Sequence, residues 1–233
     1  MKKTSFAVIK KKHLLILVGL LFALASVIVC FVAIRPTFTP NLAKTIVIDA
    51  GHGGIDGGAT GVKTGIDESS LNLEYAQSLQ KMCQGFGFNV VMTRSDMNGL
   101  YSVTASNKKR SDMEKRRQII ENANADVVVS LHMNSYPLPS AHGAQVFYAK
   151  GAEAGKALAD SVQAQIVSAI PSSRKVSSVG DYYMLNCTAR PSIIVECGFL
   201  SNPEEEAMLV TQKYRETLCY SILSGILKFL EMN

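Results

Sequence analysis

Hydrophobic and polar positions divide the 233-residue chain into stretches of different period. Residues 14–34 form an unbroken apolar run without charge, Asn, Gln or Pro, close to the ~20 residues a helix needs to span a bilayer. Residues 35–44, with Pro36 and Pro40, read as a short linker. From residue 45 onward, short β-branched runs alternate with longer segments of helical period. Strands are predicted at Thr45–Asp49, Phe88–Thr93, Val127–His132, Ala144–Tyr148 and Ser192–Cys197. Helices are predicted at Ser69–Phe86, Ser111–Ala123, Glu153–Ile170 and Pro203–Leu230. Runs such as VVVSL and SIIVE are apolar on both faces, as a strand must be when helices cover both sides of a mostly parallel sheet. The expected architecture is a three-layer α/β fold, a mostly parallel twisted sheet flanked by helices and preceded by one N-terminal transmembrane helix. Residues 45–231 are of ordinary size for a single domain with its own core.

The net charge of +5 changes meaning once it is placed along the chain. Lys2, Lys3, Lys10, Lys11 and Lys12 all precede the apolar run, and without them 19 Lys+Arg face 19 Asp+Glu. The folded body is neutral and gives no electrostatic reason to expect a nucleic-acid partner. The lysines make residues 1–13 a basic cytoplasmic segment, and the positive-inside bias then puts the folded domain on the non-cytoplasmic side. Cleavage after Ala23-Leu24-Ala25 would leave the apolar stretch Val27–Ile34 on a secreted protein, so an uncleaved anchor is the favoured reading. Cys83, Cys187, Cys197 and Cys219 lie in or beside apolar runs without a CxxC spacing. They read as buried free thiols, with disulfides as the alternative.

Ligands of an open α/β sheet gather outside the carboxyl ends of its strands. His52 follows the first predicted strand, His132 ends the third and Glu196 lies near the end of the last. The turn AGHGGIDGGATG has neither a GxGxxG opening a helix nor a P-loop Lys-Ser/Thr, which argues against a nucleotide site. Its glycines let the backbone bend so that His52 stands at the sheet's mouth. Each residue has a structural alternative: a hydrogen-bonded His52, a Glu68 favoured by the dipole of the following helix, and a Glu196 paired with Arg190. Together, two histidines and one carboxylate make the ligand set of a catalytic zinc with an open fourth position. Glu196, in an otherwise apolar strand, would then take a proton from the attacking water and deliver it to a leaving amine.

The stretches TIVIDAGHGG, GIDESSLNL, VVVSLHMNS and RPSIIVECGFLSNPEEEAML resemble, in order, the signature blocks of the zinc-dependent N-acetylmuramoyl-L-alanine amidases of the amidase_3 type. The resemblance spans residues 45–230. It implies Zn²⁺ bound by His52, Glu68 and His132, Glu196 as the catalytic carboxylate, and hydrolysis of the amide between N-acetylmuramic acid and L-alanine in peptidoglycan. A membrane anchor joined to a minimal catalytic domain is similar to the CwlD-type sporulation and germination amidases, which act with a deacetylase to make muramic-δ-lactam in spore cortex. That resemblance implies a location at the spore envelope and, with no wall-binding module recognised, dependence on a protein activator. The competing readings are a zinc peptidase cutting within the stem peptide and a membrane-tethered wall-binding protein with an inactive site.

The remaining histidines read as incidental: His13 flanks the apolar run and His142 sits in a Pro-Ser-Ala loop. Lys108, Lys109, Arg110, Lys115, Arg116 and Arg117 read as a solvated helix flank, with contact to stem-peptide carboxylates as the alternative. Asn134, two residues beyond His132, shares its side of a strand and orients substrate or ligand, or else forms a turn.

Overall fold

The computed structural model describes residues 11–13, 15, 18, 20, 21 and 44–231. It divides into two compact units, residues 1–39 and 40–233. In the first, the described residues are helical. The predicted anchor at 14–34 and linker at 35–44 fall almost entirely outside the described residues. Among the described residues, no helix is long and apolar enough to cross a membrane.

The second unit is built on a six-stranded sheet. Its strands are β1 (Thr45–Ala50), β2 (Asn89–Met92), β3 (Val127–Asn134), β4 (Gln145–Tyr148), β5 (Ser178–Val179) and β6 (Ser192–Phe199), in spatial order β2-β1-β3-β6-β4-β5. The first four in that order are mutually parallel, whereas β4 runs antiparallel to β6 and β5 parallel to β4. The sheet is thus mixed, with a reversed edge. The helices are α1 (Glu68–Gly85), α2 (Lys108–Asn122), α3 (Glu153–Ala169), α4 (Tyr183–Asn186), α5 (Pro203–Leu209) and α6 (Gln212–Glu231).

Alternation along the central strands sorts their side chains into two cores. Ile46, Ile48, Val127, Val129, Leu131, Ile193 and Val195 join the larger one, with Leu71 and Leu79 of α1, Leu158 and Val162 of α3 and Ile222 and Ile226 of α6. Val47, Val128 and Ile194 point the other way into a smaller cluster with Ile120 of α2 and Met184 and Leu185 of α4. This two-sided burial explains the continuous apolar runs. It also locates the site, because Asp49, Ser130, His132 and Glu196 follow the parity of the smaller core. The short α4 leaves the carboxyl halves of the strands on that face free to carry polar groups.

Three sequence expectations change. The long helix predicted from Pro203 is broken between Leu209 and Gln212, where the Thr211 hydroxyl donates to the Met208 carbonyl and accepts from the Tyr214 amide. A hydroxyl bonding the local backbone competes with continuation of a helix. Helix α2 begins three residues earlier than predicted, because Asn107 caps it by accepting from the Arg110 amide at 2.8 Å. The two-residue β5 and four-residue α4 are too short to leave a periodic signal. All four cysteines of this unit are free thiols, with Cys83, Cys197 and Cys219 buried.

Candidate active site

Strand β1 ends at Ala50, and the chain then turns through His52, which adopts φ 61°, a left-handed conformation uncommon outside glycine. Gly51 stands between them for a steric reason. A Cβ there would lie 2.3 Å from Cε1 and 2.4 Å from Nε2 of His132, so the imidazole packs directly on the Gly51 backbone. Gly58, at φ +71°, makes the corresponding room for Glu68, whose Oε2 would lie 2.4 Å from a Cβ. The glycines of this turn serve close approach by the other two candidate ligands as well as the bend the sequence predicts.

His132 and Glu196 are register partners on the adjacent parallel strands β3 and β6. Glu68 is the first residue of α1 and reaches them from the helix N-terminus. Its Oε1 lies 2.9 Å from His132 Nδ1 and 3.2 Å from His52 Nε2. The two imidazole centroids are 5.0 Å apart in an edge-to-face arrangement. One donor atom from each of His52, Glu68 and His132 falls within 4.8 Å of the others, forming a compact three-donor cluster.

Glu68 is heavily supported. Its Oε2 accepts from the Ala59 amide, and its Oε1 accepts from the Asn72 side chain at 3.1 Å and from the Met133 amide at 3.2 Å. Burial favours its neutral form, but the two imidazoles outweigh burial and hold its pKa far below the usual carboxylate range. Burial likewise disfavours charge on His52, and the Glu68 and Asp56 carboxylates reverse that and raise its pKa. Asp56 Oδ1 lies 2.9 Å from His52 Nδ1, as an ion-pair contact whose alignment falls outside hydrogen-bonding geometry.

Glu196 is built the opposite way. It is 8% exposed, and its Oε2 is buried with no hydrogen-bond partner. Burial raises its pKa and the nearby negative charge of Glu68 adds to that, while His132 and His52 pull in the other direction. The alternative pairing with Arg190 is absent, since Arg190 bonds the Asn124 side chain instead. A buried carboxylate oxygen without a partner, beside a three-donor cluster of nitrogen and oxygen ligands, fits a borderline cation with one coordination position left open.

Two hollows meet at this cluster, and both are lined by His52, His132, Tyr182 and Ile194. One, of about 300 Å³, adds Glu196, Asn134 and Ser135. The other, of about 230 Å³, adds Lys109, Asp112 and Tyr183. A larger hollow of about 370 Å³ between the start of α3 and Thr188–Ser192 contains none of the candidate residues. Its size carries no chemistry.

Sequence reasoning missed the groups beneath the site. Arg116, placed with the solvated basic flank, is 1% exposed. It bonds Asp49 at 2.6 Å, Asp112 at 2.6 Å and the carbonyls of Ala50 and His52. Asp49 also accepts from Thr93 and Ser130. Burial opposes its ionisation, but Arg116 and the hydroxyls prevail and lower its pKa to about 2. The i,i+4 spacing of Asp112 and Arg116 was the available signal. Lys109 does remain exposed and pairs with Asp56 at the cleft's edge. Tyr182 was missed as well; its ring packs edge-on against Phe147 with centroids 5.6 Å apart. Glu205 and Glu206, in the last of the four blocks, are structural. Glu205 accepts from the Gly143 and Phe199 amides, and Glu206 from the Lys63 and Thr64 amides just beyond the glycine-rich turn. Asn134 lines the Glu196 hollow as its position implied, whereas His142 is exposed and contacts the Ser140 carbonyl.

Comparison with known proteins shows the family. The chain is 32% identical over 202 residues to the germination-specific N-acetylmuramoyl-L-alanine amidase of Bacillus subtilis, covering 84% of this chain and 83% of that one. It resembles the structure of the CwlD amidase from Clostridioides difficile, solved in complex with the GerS lipoprotein, at TM-score 0.78 and 33% identity, covering 82% of this chain and all of that one. The catalytic domain of the amidase CwlV from Bacillus (Paenibacillus) polymyxa matches at TM-score 0.72 and 29% identity, covering 82% of this chain and 99% of the domain. The Amidase_3 family, described as N-acetylmuramoyl-L-alanine amidase, matches residues 46–228, and the chain belongs to that family.

Proposed function

We propose that the protein is a zinc-dependent N-acetylmuramoyl-L-alanine amidase that hydrolyses the amide between the lactyl group of N-acetylmuramic acid and L-alanine in spore-cortex peptidoglycan, within the muramic-δ-lactam pathway. The observation that carries this reading is the unpartnered, buried Oε2 of Glu196 beside the three-donor cluster. His52, Glu68 and His132 would hold the ion. When bound, zinc supplies Lewis acidity, polarising the scissile carbonyl and making water a nucleophile near neutral pH. Glu196 accepts the proton of the attacking water and returns it to the leaving nitrogen of L-alanine. Burial suits it to that cycle, because a carboxylate with a raised pKa takes up the proton of water more readily and holds it until the more basic leaving nitrogen accepts it. Tyr182, common to both hollows, forms a wall against which substrate is held.

The N-terminal apolar run and the lysines before it support anchoring in a membrane with the domain on the non-cytoplasmic side. The relative solved with a lipoprotein supports a protein activator for this chain too. Product analysis tests the activity: intact glycan strands and new L-alanine amino termini are expected from purified peptidoglycan. Cleavage inside the stem peptide would replace this reading with a peptidase, and no cleavage with or without a lipoprotein partner would leave a wall-binding protein.

A further inference from the structure

Three residues distant in sequence meet at one peptide group. The Gly51 carbonyl, immediately before His52, accepts from Arg94 Nη2 at 2.9 Å and from Asn72 Nδ2 at 3.1 Å. Arg94 Nη2 also donates to the Ser69 carbonyl at 2.8 Å, immediately after Glu68. Its Nε donates to the Ala50 carbonyl at 2.9 Å and its Nη1 to the Asp96 carbonyl at 2.8 Å. Asn72, one helical turn beyond Glu68, bonds the Glu68 carboxylate directly at 3.1 Å. Both side chains therefore span from the backbone beside one candidate ligand to another candidate ligand or its immediate neighbour.

Neither arrangement is what stability alone would select. Arg94 is 3% exposed, yet all its bonds go to carbonyls and none to a carboxylate. A second guanidinium, Arg116, shares the Ala50 carbonyl with it. Asn72 is fully buried with Oδ1 unpartnered. Buried polar groups left partly unsatisfied cost free energy, and an apolar isostere would avoid that cost. A planar fork with fixed donor directions is what setting a distance between two chain segments requires.

We propose that Arg94 and Asn72 are positioning residues that fix the separation of His52 from Glu68 and thereby set the metal affinity of the cluster. The inference rests on the zinc reading given above. Groups one step out from a metal commonly contribute 10- to 100-fold to affinity by orienting its ligands. Asn72→Leu removes the link between Glu68 and Gly51 and should remain folded, since it replaces an amide with an unpartnered oxygen by an apolar group of similar size. Arg94→Lys keeps the charge and loses the fork. Leu158→Ala, in the larger core on α3, serves as a control that destabilises without touching the site.

Zinc dissociation constants from chelator competition, the visible spectrum of the Co²⁺-loaded proteins and thermal melting of the metal-free proteins are measured together. Asn72→Leu and Arg94→Lys are each expected to weaken zinc binding about 10- to 100-fold and to alter the Co²⁺ bands. Leu158→Ala should melt earlier yet bind zinc as the parent does. Zinc affinity in Asn72→Leu within twofold of the parent, with an unchanged Co²⁺ spectrum, overturns the proposal, whether or not Arg94→Lys folds. A parent protein that binds no zinc overturns the zinc reading and this inference with it, a result distinguishable from parent binding that the variants retain.

Discussion

Glu68 and Glu196 are carboxylates of one centre set in two differently built regions. Glu68, at the head of α1, is surrounded by donors: two imidazoles, an amide side chain and two backbone amides. Glu196, in the middle of β6, keeps an oxygen with none. The first environment favours a permanent anion and the second favours a proton. Residue type is identical, so the division of labour proposed above, between holding a cation and moving a proton, rests on the surroundings.

The largest effect expected from breaking this contrast is Glu196→Gln. Amidase turnover should fall by about 10²- to 10⁴-fold with zinc content unchanged, read by product release and metal analysis on the same preparation. Retained turnover would remove Glu196 from the chemistry. The same variant should raise the melting temperature of the metal-free protein, because a neutral amide avoids burying an ionised carboxylate.

His132→Ala should act on the other half of the centre. It removes one of the three proposed ligands, so zinc content and turnover should fall together, and metal stoichiometry unchanged from the parent would contradict the ligand assignment. Gly51→Ala approaches the same ligand from the backbone. The added methyl would overlap the His132 ring, and a loss of about 1–3 kcal/mol of stability is expected in denaturant titrations, with weakened zinc binding.

Acid should sharpen the contrast next. Asp49, bonded to Arg116, has its folded pKa lowered to about 2, so it contributes stability that is complete above the ordinary carboxylate range near 4. That contribution, about 2 kcal/mol, is lost as the pH falls from about 4 through about 2. An Asp49→Asn variant should be less stable at neutral pH and show a shallower acid transition by circular dichroism. Equal slopes for the two proteins would count against the buried pair. The smallest effect is expected at Lys109–Asp56, where Lys109 is 60% exposed. Lys109→Met should change stability by less than about 1 kcal/mol, because water already screens the pair.

The sequence determined the central strands through their two-sided apolar runs, because parity and run length directly report burial on a sheet. It also singled out the candidates: His132 and Glu196 stand against apolar neighbours, His52 in a glycine-rich turn and Glu68 just ahead of a helix, all visible without coordinates. Their joint meaning came from four blocks in order, which belong to the chain and need no fold to be read. Tertiary structure alone decided the rest. It chose the face with the smaller core, reversed β4 against β6, and drew Arg94, Arg116 and Asn72 beneath the His52 turn. Those bonds span 21 to 64 residues and end mostly on backbone carbonyls, which every residue possesses. A donor in the sequence has nothing to mark which carbonyl it will meet. Periodicity is a local property of the chain, whereas the spacing of the three candidate ligands is fixed by contacts that exist only after the strands have paired.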